Sequence, residues 1–475
     1  MTEPPVSHAE FQDDERTSAE QLEDFALGDD YQLNPRFVEM VVDAAEADDA
    51  ERLSRFIDAL RPADIADLLG FVPPERRDAV VRVLSPEVFT EVLPELDEQI
   101  REELLEAFTP ARLAAAVSTL DSDDVAAIVE DMDEERRDAV LAAMPAFERA
   151  AVETSLAYPE DTAGRLMQRE VVAAPEFWTV GHTIDHLRAT REDLPELFFD
   201  IYVVDPAFKP VGAVPVSGLL RRPRHCTLTE IREDVTEFRA DQDQEEVAYA
   251  FEKYRLISAP VVDEAGRLVG QITVDDIVGV LQEENQEDIL ALAGVGDEGR
   301  DATTWGSTKA RLPWLSVNLL TGLFSAIVIS RFAGSIEAKV ALAVLMPIVA
   351  SIGGNAGTQA LTVTVRALAL RELNGSNAFR LVRRELRVAL INGAVLASIM
   401  ALAAGLWFSD WQLGGVVAMA IVLNLLAAGT AGALVPLTLG RLKQDPAVSS
   451  GVFVTAVTDV VGFFVFLGLA TIILL

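Results

Sequence analysis

A chain of 475 residues, half of them apolar, carries a formal net charge of −37 at pH 7, and its length is enough for about three domains. An acidic surface of that density repels nucleic acid and anionic lipid headgroups, which excludes both as partners of its soluble part. The single cysteine, Cys226, excludes an intramolecular disulfide, and four scattered histidines argue against a zinc site.

The charge is unevenly divided. Residues 1–300 hold 69 of the 76 acids and 27 of the 39 Lys and Arg, a balance of −42, whereas residues 301–475 hold 7 acids and 12 bases, a balance of +5. Two solvents are implied, water for the first part and lipid for the second. Most of the acidity reads as a solvated surface suited to high salt; a minority of clustered carboxylates can bind divalent cations.

Residues 1–34 form an acidic tail with Asp13, Asp14, Glu15, Asp29 and Asp30 and no apolar run. This predicts disorder to about Gln32, no cleavable signal peptide and a cytoplasmic N-terminus. Residues 35–160 place apolar side chains at three- and four-residue intervals, with prolines at helix starts, so a helical domain is expected. It repeats internally: Asp64-Ile-Ala-Asp-Leu-Leu through Glu75-Arg-Arg-Asp-Ala-Val aligns at an offset of 60 with Asp124-Val-Ala-Ala-Ile-Val through Glu135-Arg-Arg-Asp-Ala-Val. Stacked helical pairs in a superhelix follow, with the Arg pairs in structural roles.

From 161 the pattern changes to short strands alternating with helices, as in Ile201-Tyr-Val-Val-Asp and Ala259-Pro-Val-Val-Asp. Two modules are expected, 161–226 and 227–281. The second resembles a CBS module, because Gly270-Gln-Ile-Thr273-Val-Asp275-Asp276 matches the segment whose Thr and Asp hold a nucleotide ribose in such modules. That resemblance implies a site for ATP or another adenine nucleotide at Thr273 and Asp276. In the first module the same offsets fall on Pro215 and Gly218, so that copy is degenerate, and a purely structural CBS pair fits as well.

Residues 282–312 form a connecting helix. Glu284, Glu287 and Asp288 fall at spacings that gather carboxylates on one side, which destabilises a helix unless something neutralises them. A solvated acidic face and a divalent-cation site are both compatible with that spacing.

Residues 313–475 contain five apolar runs long enough to cross a bilayer, at about 313–332, 340–368, 388–408, 414–439 and 448–474. Lys309, Arg311, Arg371, Arg380, Arg383, Arg384, Arg387, Arg441 and Lys443 flank one side; the other has Arg331 and Lys339 against Glu337, and Asp410 alone. The positive-inside bias puts the N-terminal half in the cytoplasm and the C-terminus outside. Asp459 lies deep in the last run with no Lys or Arg in that run, which admits a protonated or helix-capping Asp at a break but favours an ion-pathway carboxylate. In the second run Pro347, Gly353, Gly354, Asn355, Gly357 and Gln359 admit two readings, a weakened helix that offers oxygens to a cation or close packing through small residues. The pathway reading is favoured for Asn355 and Gln359, and more weakly for Asn424 in the fourth run.

Pro347 to Gln359, Val365-Arg366-Ala367-Leu368-Ala369, Asn424, Asp445-Pro446-Ala447, Thr458-Asp459-Val460 and Gly462 together resemble the MgtE family of magnesium channels, in order and at matching intervals. The resemblance covers the chain after about residue 35. It implies a multidomain protein with a superhelical N-terminal domain, an α/β CBS pair and a five-helix transmembrane pore domain. It further implies no enzyme activity and a homodimer in the plasma membrane that takes up Mg²⁺ past Asp459. Closure by cytoplasmic Mg²⁺ at Asp276, Glu284, Glu287 and Asp288 is also implied. Gly451 and Gly279 depart from members with Asn and an acid at those places, which puts a pore ligand and a sensing ligand in question. Two rival functions remain, a secondary transporter of Co²⁺ or Mn²⁺ and a membrane-anchored nucleotide sensor.

Overall fold

A computed structural model describes residues 19–475 except 29, 119, 131, 192–193, 196, 294–303, 370, 374–376 and 443–445, and does not describe the side chains of 19, 20, 98 and 446–449. Two compact units result, Met1–Leu281 and Gln282–Leu475.

The first unit opens with short helices running from Ala19–Ala26 to Ala146–Leu156. Pro35, Pro62, Pro74, Pro86 and Pro110 each stand at a helix start, where a missing N–H costs nothing. Asn34, Asp49, Ser85 and Asp133 cap their helices by accepting from a backbone N–H. Part of the acidity is therefore capping chemistry. Helices this short are held by packing, and one apolar core runs from Leu22 through Phe37, Phe56 and Leu104 to Val152. Helices Pro62–Phe71, Pro86–Val92, Pro110–Val117 and Glu134–Ala143 stack in succession, as the repeat predicts. One Arg of each pair caps carbonyls: Arg77 Nε donates to Leu69 O and Val72 O, and Arg136 donates to Leu105 O and Phe108 O.

The expected disordered tail is corrected in its second half. Ala19–Ala26 is helical, Leu22, Phe25 and Ala26 are buried, and Asn34 Nδ2 donates to Phe25 O at 3.1 Å. Two turns show too little periodicity to be read from sequence, yet burying Leu22 and Phe25 on the core holds them. Residues 1–18, with Asp13, Asp14 and Glu15, lie outside the described residues.

Two three-stranded sheets follow. In the first, β1 (Ala173–Pro175) runs parallel to β2 (Asp200–Val204), which pairs antiparallel with β3 (Pro210–Pro215). In the second, β4 (Phe238–Arg239), β5 (Ser258–Val262) and β6 (Leu268–Thr273) repeat that order and register, each sheet with an irregularity at a Val-Val step. The boundary at 226/227 moves. Leu228 and Ile231 fill the first module's core and Glu233 pairs with Ala213, whereas Ala163 and Met167 belong to the second module's core. Tyr202 Oη donates to Ser258 Oγ at 3.0 Å, and Ser258 Oγ donates to Asp200 at 2.7 Å, which joins the modules.

The second unit holds five helices long and apolar enough to span: Thr304–Ser330, Ala341–Ala369, Ala378–Trp407, Trp411–Arg441 and Ser450–Leu474, here spans one to five. Spans one and three begin earlier than predicted, because the helix continues through the polar segment beyond the apolar run, with Pro313 inside span one. Span four is the central one, 61% of its apolar stretch being buried against 6% for span one. Glycines make the close contacts. A Cβ at Gly414 would stand 2.6 Å from Ala401 O on span three, and one at Gly432 would stand 2.6 Å from Gly357 O on span two. In the loops opposite the Arg-rich side, Lys339 pairs with Asp410, whose carboxylate also caps span four through Gln412 N and Leu413 N.

Candidate cation pathway and carboxylate sites

Span two stays helical across Pro347 and its glycines; Pro347, lacking an N–H, leaves only the carbonyl of Ala343 without its helical donor. This corrects the weakened-helix reading: Gly353 and Gly357 are contact points, where a Cβ would run into Asn424 Nδ2 and would meet Val454 Cγ1 at 2.6 Å. Asn355 and Gln359 lie one turn apart on an exposed strip of the same helix with Ser351, Thr358 and Thr362. In lipid such a strip demands a polar surrounding.

Asn424 is not on that strip. It is fully buried where spans two, four and five meet, its Nδ2 donating to Val349 O at 3.0 Å while its Oδ1 has no hydrogen-bond partner. Gly353 and Gly462 leave the room for it, since a Cβ on either would fall within 2.7 Å of Nδ2. The geometry gives Asn424 a bracing position instead of the predicted pore-ligand position.

Asp459 is half-buried on span five, beside Thr458, which is itself buried and packs at Gly357. Among the described residues it has no hydrogen bond or ion pair. A charge so placed costs at least about 2.5–3.5 kcal/mol on insertion scales, which only a cation, water or a proton offsets. Of the other motif residues, Asp445 lies outside the described residues, and Gly451 approaches Leu292 O at 3.6 Å from an added Cβ.

The proposed sensing residues are not brought together. Asp276 is in the first turn of the helix Val274–Leu292, whereas Glu284, Glu287 and Asp288 are two to three turns further on. Glu284 and Asp288 are half-shielded and Glu287 is exposed. Ala291 and Leu292 of the same helix pack on Leu361, Val365, Ala431 and Val454 at the ends of spans two, four and five. A Cβ at Gly279 would meet nothing within 4 Å.

Asp276 instead faces carboxylates of the helical domain. Asp123 and Asp124 open the helix Ser122–Glu130, and Asp123 comes within hydrogen-bonding reach of Asp276. Burial, reinforced by the charges of Asp276, Asp124 and Asp121, pushes the Asp123 carboxyl well above its ordinary range. Burial likewise raises Asp124 to about 6, helped by Asp276, Asp121, Glu95 and Asp275. Burial and Asp275 raise Asp276 to about 6, against the lowering effect of its hydrogen bonds from Thr273. Asp123 Oδ1 is buried with no hydrogen-bond partner. The largest causes of all three shifts are burial and neighbouring carboxylates, which a proton or a cation would offset. Among the described residues no group of three or more His, Cys, Asp or Glu converges tightly enough to hold a metal ion. Asp123 and Asp124 escaped the sequence reading because Asp-Ser-Asp-Asp reads as a helix start and its partner is some 150 residues away.

The same contact bears on a nucleotide. Thr273 is buried, its hydroxyl donates to Asp276 Oδ2 at 2.9 Å, and its N–H points at the same oxygen. Both groups that would meet a ribose are engaged with each other, and Asp276 also with Asp123.

Fold and site together define a multi-pass membrane protein with a helical domain and a CBS pair preceding its spans. Residues 346–469 match the model of a divalent cation transporter, residues 60–161 that of the MgtE intracellular N domain, and residues 228–283 the CBS domain. The magnesium transporter MgtE of Bacillus subtilis (strain 168) is 34% identical over 417 residues, 87% of this chain and 92% of the relative. That of Thermus thermophilus is 36% identical over 69% of this chain and 73% of the relative. The solved cytosolic domain of the Mg²⁺ channel MgtE in complex with ATP is 32% identical and covers 51% of this chain and 99% of its own, with a TM-score of 0.48. The chain belongs to the MgtE family.

Proposed function

We propose that the protein is a homodimeric Mg²⁺ channel of the plasma membrane, with residues 1–281 in the cytoplasm and the C-terminus outside, closed by cytoplasmic Mg²⁺. The observation that carries the transport reading is Asp459, a carboxylate within an apolar span with no partner among the described residues. Two copies meeting along span five would set two such carboxylates around one path. Mg²⁺ dehydrates reluctantly, so the pair holds an ion that retains several waters. The exposed amides of Asn355 and Gln359 offer hydrogen bonds to that water shell. The polar strip of span two then faces the aqueous path, not lipid.

The neutralisation of Lys339 by Asp410 supports the orientation, since it lowers the net positive charge of the side opposite the Arg-rich loops. Closure rests on the buried carboxylates. Without Mg²⁺, Asp123 and Asp124 repel Asp276 and the helical domain loosens from the second CBS module; with Mg²⁺ the contact closes. An ion that binds only the closed arrangement shifts the equilibrium toward it. Glu284, Glu287 and Asp288 extend the same logic to the segment packed on the span ends.

The transport reading is tested by Mg²⁺ flux into liposomes holding equal amounts of folded protein. Asp459→Ala and Asp459→Asn are expected to abolish flux, the second because the amide keeps shape but not charge. Undiminished flux in either variant refutes the assignment.

A further inference from the structure

Three of the four histidines fall in the first CBS module or just after its last helix, at 182, 186 and 225. His182 and His186 are four residues apart in the helix Val180–Ala189, the His-x-x-x-His spacing that sets two imidazoles one turn apart on one face. Both are exposed, and neither ring nitrogen has a hydrogen-bond partner among the described residues. Trp178, two residues before the helix, holds both rings. Its indole meets His182 edge-on at 4.5 Å and 86°, and His186 at 4.9 Å and 73°. The scatter of histidines along the sequence had argued against a zinc site; the helix and the shared indole gather two of them.

We propose that His182 and His186 form a two-point chelate for a borderline transition-metal dication of the Zn²⁺, Co²⁺, Ni²⁺ and Cu²⁺ class, separate from the carboxylates that take Mg²⁺. Neutral imidazole nitrogen suits these ions, whereas Mg²⁺ requires oxygen ligands. The surrounding charges sharpen the distinction. Asp185, between the two histidines, is held by Arg224 at 2.6 Å, and Arg188 lies on the same helix. A site with so little net negative charge holds an ion through nitrogen donor bonds, not by Coulomb attraction, and so rejects Mg²⁺. Rings already restrained against Trp178 lose less rotamer freedom on binding. The module thereby acquires a sensor for a class of dication that the Mg²⁺ sites do not distinguish by charge.

Trp178 is also the reporter, because the other tryptophans, Trp305, Trp314, Trp407 and Trp411, are in the membrane half. Full-length protein in detergent, freed of any histidine tag, is titrated with Ni²⁺ and Cu²⁺ in millimolar Mg²⁺, following tryptophan emission. The expected result is a saturable, one-to-one quench that excess Mg²⁺ does not reverse. His182→Gln or His186→Gln is expected to weaken it at least about tenfold, since the second imidazole binds intramolecularly. The double variant loses it with unchanged circular dichroism, and His8→Gln retains it. A quench that does not saturate, that Mg²⁺ displaces, or that survives in the folded double variant overturns the proposal.

Discussion

Asp276→Asn isolates the charge term at the contact between the helical domain and the second CBS module. Asn keeps an oxygen for the Thr273 N–H and hydroxyl and can donate to Asp123, so shape and capping survive while one negative charge disappears. A carboxyl raised from 3.8 to about 6 by burial and by Asp275 is destabilised as the anion by about 3 kcal/mol. Between those two values the folded state binds the proton that the unfolded state releases, so stability falls as pH rises through the window and the penalty is complete above about pH 6. The Asp276 charge in turn raises both Asp123 and Asp124, so its removal relieves two buried carboxyls besides its own. At pH 7.5 without Mg²⁺, amide hydrogen exchange at residues 122–130 and 274–280 should slow by up to about a hundredfold in the variant. Wild type should gain comparable protection from millimolar Mg²⁺, or from lowering the pH to 5, and the variant should gain little from either. Equal exchange in the two Mg²⁺-free proteins, or an undiminished Mg²⁺ response in Asp276→Asn, refutes a charge-repelled contact.

Joint change of Glu284, Glu287 and Asp288 to Gln should move protease protection of the cytoplasmic part to higher Mg²⁺ at fixed high ionic strength, which screens diffuse charge but leaves coordination intact. A midpoint equal to wild type reduces these acids to solvated surface. Gly353→Ala drives a Cβ into Asn424 Nδ2, so the bond to Val349 O must break or span two must shift. Overpacking of this kind costs about 1–3 kcal/mol, to be read as a lower melting temperature in detergent; an unchanged melting temperature shows that the three-span junction yields freely.

The partition of charge, the five apolar runs and the offset-60 repeat were all legible in the linear chain, because each rests on local solvent preference or on short periods. Asp459 was legible for the same reason, since an acid in an apolar run needs no neighbour to be conspicuous. The roles of polar residues with remote partners were not. Asn424 reads as a pathway amide until spans two and five close around it at Gly353 and Gly462. Met167 and Leu228 belong by sequence order to the first and second module, and each fills the core of the other. Asp123 is one acid among 76 until tertiary packing sets it beside Asp276 and shields both from water. Burial and like-charge proximity depend on which surfaces meet, and helix periodicity constrains that only within a single helix.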